Sequence, residues 1–141
     1  MRLPEEELRE FLLNKADQYA QKSFISDDPI GIPHRFSKDK DIEISGLIAA
    51  TLSWGQRKTI ISKSQDLMIR MDNSPAEFVQ GCTTTDLKVF DGFVHRTFQS
   101  EDIKGLIVAL KQLHSEYQSI GAFFKAHMDN ERHMGAAMVE F

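Results

Sequence analysis

Cysteine is almost missing from this sequence. One thiol, Cys82, stands among 141 residues, which excludes an internal disulfide and a thiolate cage for zinc and fits a reducing compartment. Long apolar runs are missing too. No stretch approaches the roughly 20 residues that a membrane-spanning helix needs. The opening Met1-Arg2-Leu3-Pro4, followed by Glu5, Glu6 and Glu7, is acidic where a secretory signal would be basic and then apolar. The expected location is therefore the cytoplasm. Positive charge is in deficit, with 17 Lys and Arg against 21 Asp and Glu and a net charge of -4. Such a surface does not attract phosphates over its whole extent, so a nucleic-acid site requires a local basic face. No strand-like alternation runs for any length, and no internal repeat, low-complexity tract or linker marks a domain boundary.

What is present reads as helix. Hydrophobic residues make up 41% and charged residues 27%, ordinary usage for a globular domain, and the length suits one modest core. The expected fold is a compact all-α multi-helix bundle, a single helical domain over residues 1–141. Leu8, Phe11, Leu12 and Tyr19 share one helical stripe and predict a first helix over residues 5–22, with Pro4 at its first turn. Pro29, Gly31 and Pro33 then interrupt residues 23–37, a loop that its apolar residues should pack down. Residues 39–54 are apolar on most sides (Ile42, Ile44, Leu47, Ile48, Ala49, Ala50, Leu52) and predict a buried central helix, which Gly55 breaks. Residues 58–71 follow as the second arm of a helical hairpin.

Ser74-Pro75-Ala76-Glu77 reads as a capping box opening a short helix that ends near Gly81. Thr83, Thr84 and Thr85 are candidates to cap a further turn, and residues 89–99, without a helical period, read as loop. Ser100-Glu101-Asp102 starts a helix bearing Ile103, Leu106, Ile107, Leu110 and Tyr117, and Ser119 caps one more turn or two with Phe123 and Phe124. Over residues 131–141, Met134, Met138 and Phe141 recur at helical spacing and the pattern stops without a cap, a glycine or a polar tail. That predicts a domain truncated at its C-terminus.

The most informative stretch is LIAATLSWGQRKTIISKSQDLM (residues 47–68), followed by NSPAEF (residues 73–78). It resembles the opening helices of the helix-hairpin-helix DNA glycosylases, the endonuclease III superfamily, where an apolar helix ends at a Leu-Ser-x-Gln element; here the element is Leu52-Ser53-Trp54-Gly55-Gln56. Through DDPIGIPHRF (residues 27–36), SWGQR (53–57) and HRTF (95–98), most of the chain is similar to the N-terminal part of an uncharacterised bacterial family assigned to that superfamily. The resemblance implies the first half of a glycosylase-like fold and DNA binding, with the loop at Gln56 facing the nucleic acid and probing a displaced base. Glycosylases of this kind keep their catalytic aspartate after a hairpin whose close glycines let the backbone approach phosphate. This sequence has no Gly-x-Gly and ends before the hairpin's place. No catalytic residue carries over, and the expected enzyme is a full-length relative, not this chain alone.

Taken as residues, Trp54-Gly55-Gln56-Arg57 joins an aromatic, a helix breaker, an amide and a cation, a set suited to stacking, base-edge hydrogen bonding and phosphate contact. The alternative is a tryptophan plugging the core while the arginine caps a carbonyl. Lys58 and Lys63 follow, and the amides of a helix N-terminus lie beside them for phosphate. His34-Arg35 and His95-Arg96 sit in aromatic-rich loops; convergence on Arg57 would supply the basic face, and otherwise each arginine pairs with a carboxylate such as Asp27, Asp28, Asp91 or Glu101.

The expected nucleic-acid contacts are Trp54, Gln56, Arg57, Lys58, His95 and Arg96. No cofactor is expected. No metal is either, since His127 and His133 stand six apart with no His-x-x-x-His or clustered carboxylate. Asp27-Asp28 reads as a turn before Pro29, and Cys82 has no neighbouring base. The expectation is a nucleic-acid-binding helical lobe with DNA as partner and its site side chains on one exposed face. The alternative is a non-catalytic scaffold or interaction module, with buried arginines and an apolar C-terminal helix pairing with a second copy or with the missing half.

Overall fold

The computed structural model describes residues 4–128 and 134–141. Helix α1 (Glu5–Tyr19) starts after Pro4, with Glu5, Glu6 and Glu7 in the first turn, where carboxylates meet the positive end of the helix dipole. It buries none of its residues, and Leu8, Phe11, Leu12, Leu13 and Tyr19 are all exposed. It also ends sooner than its periodicity predicts. Gln21 turns extended and the chain restarts as α2 (Lys22–Ser26), which sets Phe24 edge-on to Tyr19.

Two 3-10 turns, Pro29–Gly31 and Pro33–Arg35, occupy the proline-rich loop. The Asp28 carboxylate accepts from the Ile30 amide at 3.0 Å, so this aspartate is a turn residue. A Cβ on Gly31 would lie 2.5 Å from the Ile25 carbonyl oxygen, a contact only glycine permits. Ile32 is fully buried, which packs the loop down, while Ile30 stays exposed.

Helix α3 (Asp39–Thr51) is the centre of the molecule. Its Ile44, Ile48 and Ala49, with Leu52 just beyond, meet Leu67, Met68 and Met71 of α4 (Arg57–Arg70) and just after it, Val79 of α5 (Pro75–Gly81), and Ile103, Ile107 and Leu110 of α6 (Ser100–Tyr117) in one continuous core. Each such fully buried aliphatic side chain contributes about 1.5–3 kcal/mol relative to an exposed one. Phe90, closing a 3-10 turn (Asp86–Phe90), and Phe93 fill the core's aromatic positions. The all-α reading holds.

Two local expectations fail. Ser74 makes no side-chain cap. The acceptor at the start of α5 is the buried Asp41 of α3, whose Oδ1 takes the Ala76 amide at 2.9 Å across 35 residues. The stretch read as loop closes into a small antiparallel ribbon, β1 (Val94–His95) against β2 (Phe98–Gln99). Two residues per strand are too few to show an alternation.

Other helix starts follow the sequence. The Asp102 carboxylate accepts from the Gln99 amide at 2.8 Å at the head of α6. Ser119 accepts from the Ala122 amide at 3.0 Å and opens α7 (Ile120–His127), whose first amides also donate to Glu43 of α3. Helix α8 (Met134–Glu140) exposes Met134 and Met138 and buries Ala137, and Phe141 stacks on Phe124. The expected start of this helix, from residue 131, lies outside the described residues, as does His133. No helix among the described residues is long and apolar enough to cross a membrane.

Candidate nucleic-acid interface

The turn joining α3 to α4 runs from Leu52 to Gln56. Helix α3 closes at Leu52, the Trp54 amide folds back onto the Leu52 carbonyl at 2.7 Å, Gly55 takes φ +121°, and Gln56 is extended as the N-cap residue of α4. A positive φ of that size is open to glycine and rarely to other residues.

The β1–β2 ribbon is clamped to this turn through His95. Its ring Nε2 lies 2.9 Å from the Leu52 carbonyl oxygen. A carbonyl can only accept, so Nε2 carries the proton. Arg96, at the tip of the ribbon, sits in the left-handed region at φ +57°, a conformation that disfavours a non-glycine residue by about 1 kcal/mol. Its guanidinium carbon stands 5.2 Å from the Trp54 ring centroid, and its side chain passes 3.5 Å from the place a Gly55 Cβ would take. An exposed cation-π pair of this kind contributes about 0.5–1 kcal/mol.

Trp54 is therefore no core plug; it is 51% exposed. Helix α3 has already ended before the indole leaves the chain, and Phe90 and Phe93 occupy the interior instead. Gln56 and Lys58 are exposed at the same helix start. Arg57 has a side chain 61% exposed, with its Nε 4.0 Å from Asp28 Oδ2 and its guanidinium 5.7 Å from the Phe24 ring. That exposed ion pair contributes between about 0 and 1 kcal/mol and leaves most of the guanidinium open.

His95 departs from the expected set. At 2% exposure it cannot touch a strand lying on this surface; it acts by holding the ribbon that carries Arg96. Of His34-Arg35, the arginine reaches Gln65 of α4 at 3.5 Å. Asp91 and Glu101, possible partners for Arg96, are both engaged by Lys104 at 2.6 and 2.7 Å, and these contacts raise the lysine's pKa.

Beside the turn lies a cleft of about 430 Å³ lined by residues that include Gly46, Ala49, Ala50, Ser53, Asp28 and Arg57. Cys82 is buried elsewhere, and burial pushes its thiol pKa up, away from the reactive thiolate. Among the described residues no three His, Cys, Asp or Glu side chains converge as metal ligands would. Sequence reasoning missed the His95–Leu52 tie and the Arg96–Trp54 stack, because both join residues about forty positions apart. The neighbouring words SWGQR and HRTF were the available signal.

Residues 28–141 match the family described as Protein of unknown function (DUF2400). The chain belongs to this family. The DUF2400 region begins at Asp28 and takes in Trp54, Gln56, Arg57, Lys58, His95 and Arg96, whereas α1 and α2 precede it. No curated protein and no solved structure matches the chain.

Proposed function

We propose that this DUF2400 protein is a nucleic-acid-binding helical lobe with DNA as its partner, not catalytically complete by itself. The observation that carries the proposal is the exposed Trp54–Arg96 stack set against Arg57 and Lys58 at the head of α4. An indole open to solvent offers a platform for a base. The cations beside it supply the basic face that the net charge lacks. The start of α4 adds backbone amides that the Gln56 side chain does not cap, and such amides favour phosphate. The resemblance of residues 47–78 to the opening helices of the helix-hairpin-helix glycosylases supports the same reading and makes base-excision-type chemistry the expected setting of a full-length relative.

The test is a binding titration against single-stranded, duplex and mismatched duplex DNA over a range of salt, with Trp54→Ala, Arg57→Ala and Arg96→Ala beside the wild type. Wild-type affinity should fall steeply with salt, and the logarithmic slope should lose about one in Arg57→Ala. Trp54→Ala should lose about 1–3 kcal/mol on single strands. Wild-type protein that binds none of the three at low salt overturns the proposal.

One observation favours a second reading, an interaction module: the whole apolar stripe of α1 is exposed, and Met134, Met138 and Val139 are exposed on α8. Patches of this kind mark protein contacts. Sedimentation velocity decides it, since a monomer at every concentration removes the homo-oligomer.

A further inference from the structure

The exposed stripe of α1 is not purely apolar. Phe11, Lys15 and Tyr19 recur every four residues along it, and the Lys15 ammonium lies 5.8 Å from the Phe11 ring centroid and 5.9 Å from that of Tyr19. Beyond the bend at Ala20 and Gln21, Phe24 of α2 meets Tyr19 edge-on at 5.8 Å. The same Phe24 ring takes the Arg57 guanidinium at 5.7 Å, and three residues before Arg57 stands Trp54, with Arg96 at 5.2 Å. Rings and cations therefore follow one another from the middle of α1 to the head of α4, where the row reaches the candidate interface.

Three features decide which occupant suits this row. Phe11, Tyr19 and Trp54 are each about half exposed, so ring surface stays open beside the cations. The acids of α1 mostly face elsewhere: at about 100° per residue, Glu6, Glu10 and Asp17 stand about 140–180° round the helix from Lys15. Lys15 itself sits in the middle of the stripe. The seam of a helix pair would bury that ammonium among apolar side chains at a cost, whereas a line of phosphates attracts it. Its one bond, to Gln18 at 2.8 Å, leaves two of its three protons to offer. A duplex keeps its bases stacked on one another, so rings spread along a helix face and a turn suit bases that are already unpaired.

We propose that Phe11, Lys15, Tyr19 and Phe24 extend the Trp54 surface into a track for an unpaired DNA strand. Bases stack on the open ring faces, and Lys15, Arg57 and Arg96 meet the phosphates between them. The proposal rests on the nucleic-acid reading of the Trp54 turn and narrows its ligand to single strands. Four rings set the site at about four nucleotides, the low end of what single-strand grooves hold. Phe11, Lys15, Tyr19 and Phe24 all precede residue 28, so the track is an addition to the region that the DUF2400 match covers.

Filter binding of the whole chain to oligothymidylates of two to twelve nucleotides, and to a blunt hairpin duplex, tests this. Affinity should climb steeply up to about four or five nucleotides and slowly beyond, and the duplex should bind at least about 10-fold more weakly than the longest strand. Phe11→Leu and Tyr19→Leu keep apolar bulk in a helix that buries none of its residues. Each should cost about 10-fold on the longest strand and little on the dinucleotide. Lys15→Gln should reduce the logarithmic salt slope by about 0.7. Circular dichroism of each variant separates a lost track from a lost helix, and Phe24→Leu gives a check outside α1. Strand binding that needs Trp54 but ignores the Phe11, Lys15 and Tyr19 variants overturns the track and leaves the Trp54 surface standing, as does a duplex bound as tightly as the strand. Absence of binding to every strand overturns both. Variants that alter sedimentation but not strand binding assign the stripe to a second copy of the chain and overturn the proposal.

Discussion

Helices α1 and α3 carry equally legible helical patterns and meet opposite fates. In α1 the stripe of Leu8, Phe11, Leu12 and Tyr19 buries nothing. In α3 five residues are buried, two of them polar, and Asp41 and Glu43 spend their carboxylates on the first amides of other helices. Periodicity therefore specifies that a segment is helical and which side is apolar, but the partner that covers the apolar side is a separate fact, written elsewhere in the chain. The boundary of the DUF2400 match falls along the same divide, since α1 precedes residue 28 and α3 follows it.

The contrast is open to direct attack. Ile44→Ala in α3 should lower unfolding free energy by about 2–5 kcal/mol, a cavity in a packed core, while Leu12→Ala in α1 should change it by less than about 0.5 kcal/mol. Chemical denaturation of both variants checks the pair, and a large loss from Leu12→Ala would mean that α1 is covered after all. Asp41→Ala should come next, at about 1–3 kcal/mol, because the Ala76 amide loses its acceptor inside the protein; Asp41→Asn, which keeps an oxygen, should recover most of it.

A smaller effect of opposite sign is expected at the ribbon tip. Arg96→Gly relieves the left-handed residue and should leave stability unchanged or raise it by up to about 1 kcal/mol, even though it removes the stack on Trp54. A clear loss of stability there would mean that Arg96 is structural.

The smallest effect concerns pH. The Asp86 carboxylate accepts from the Thr83 amide and hydroxyl, both at 2.7 Å, and these bonds hold its pKa below the ordinary value. A depressed carboxylate stabilises the fold at and above its ordinary pKa, and the contribution disappears as pH falls through the folded value. Unfolding curves of the wild type and Asp86→Asn should therefore differ slightly at neutral pH and converge in strong acid.

Much of the fold was legible because its information is local. The apolar run of α3, the start of α4 near Arg57, the start of α6 at Ser100 and the cap at Ser119 are all decided within a few residues of where they act, although α3 ends at Thr51, short of Trp54. What escaped depends on distance. Asp41 displaces Ser74 as the cap of α5, and His95 needs the Leu52 carbonyl before its two-residue strand has anything to lie against. Of the candidate interface, the words around Trp54 and Arg96 were visible, but their stacking was not, because a cation-π contact leaves no mark on either segment alone. The buried state of His95 was equally hidden, since a histidine in an aromatic loop reads the same whether it faces water or a carbonyl.

The sole tryptophan of the chain stands half in solvent at the centre of the candidate interface. Its emission belongs to an indole already wetted in the native state, so unfolding shifts the spectrum little and the fluorophore is a poor gauge of stability. Anything that settles on the α3–α4 turn dries or quenches that same ring. The molecule thus carries an intrinsic optical reporter of occupancy at one surface, silent to the rest of the fold.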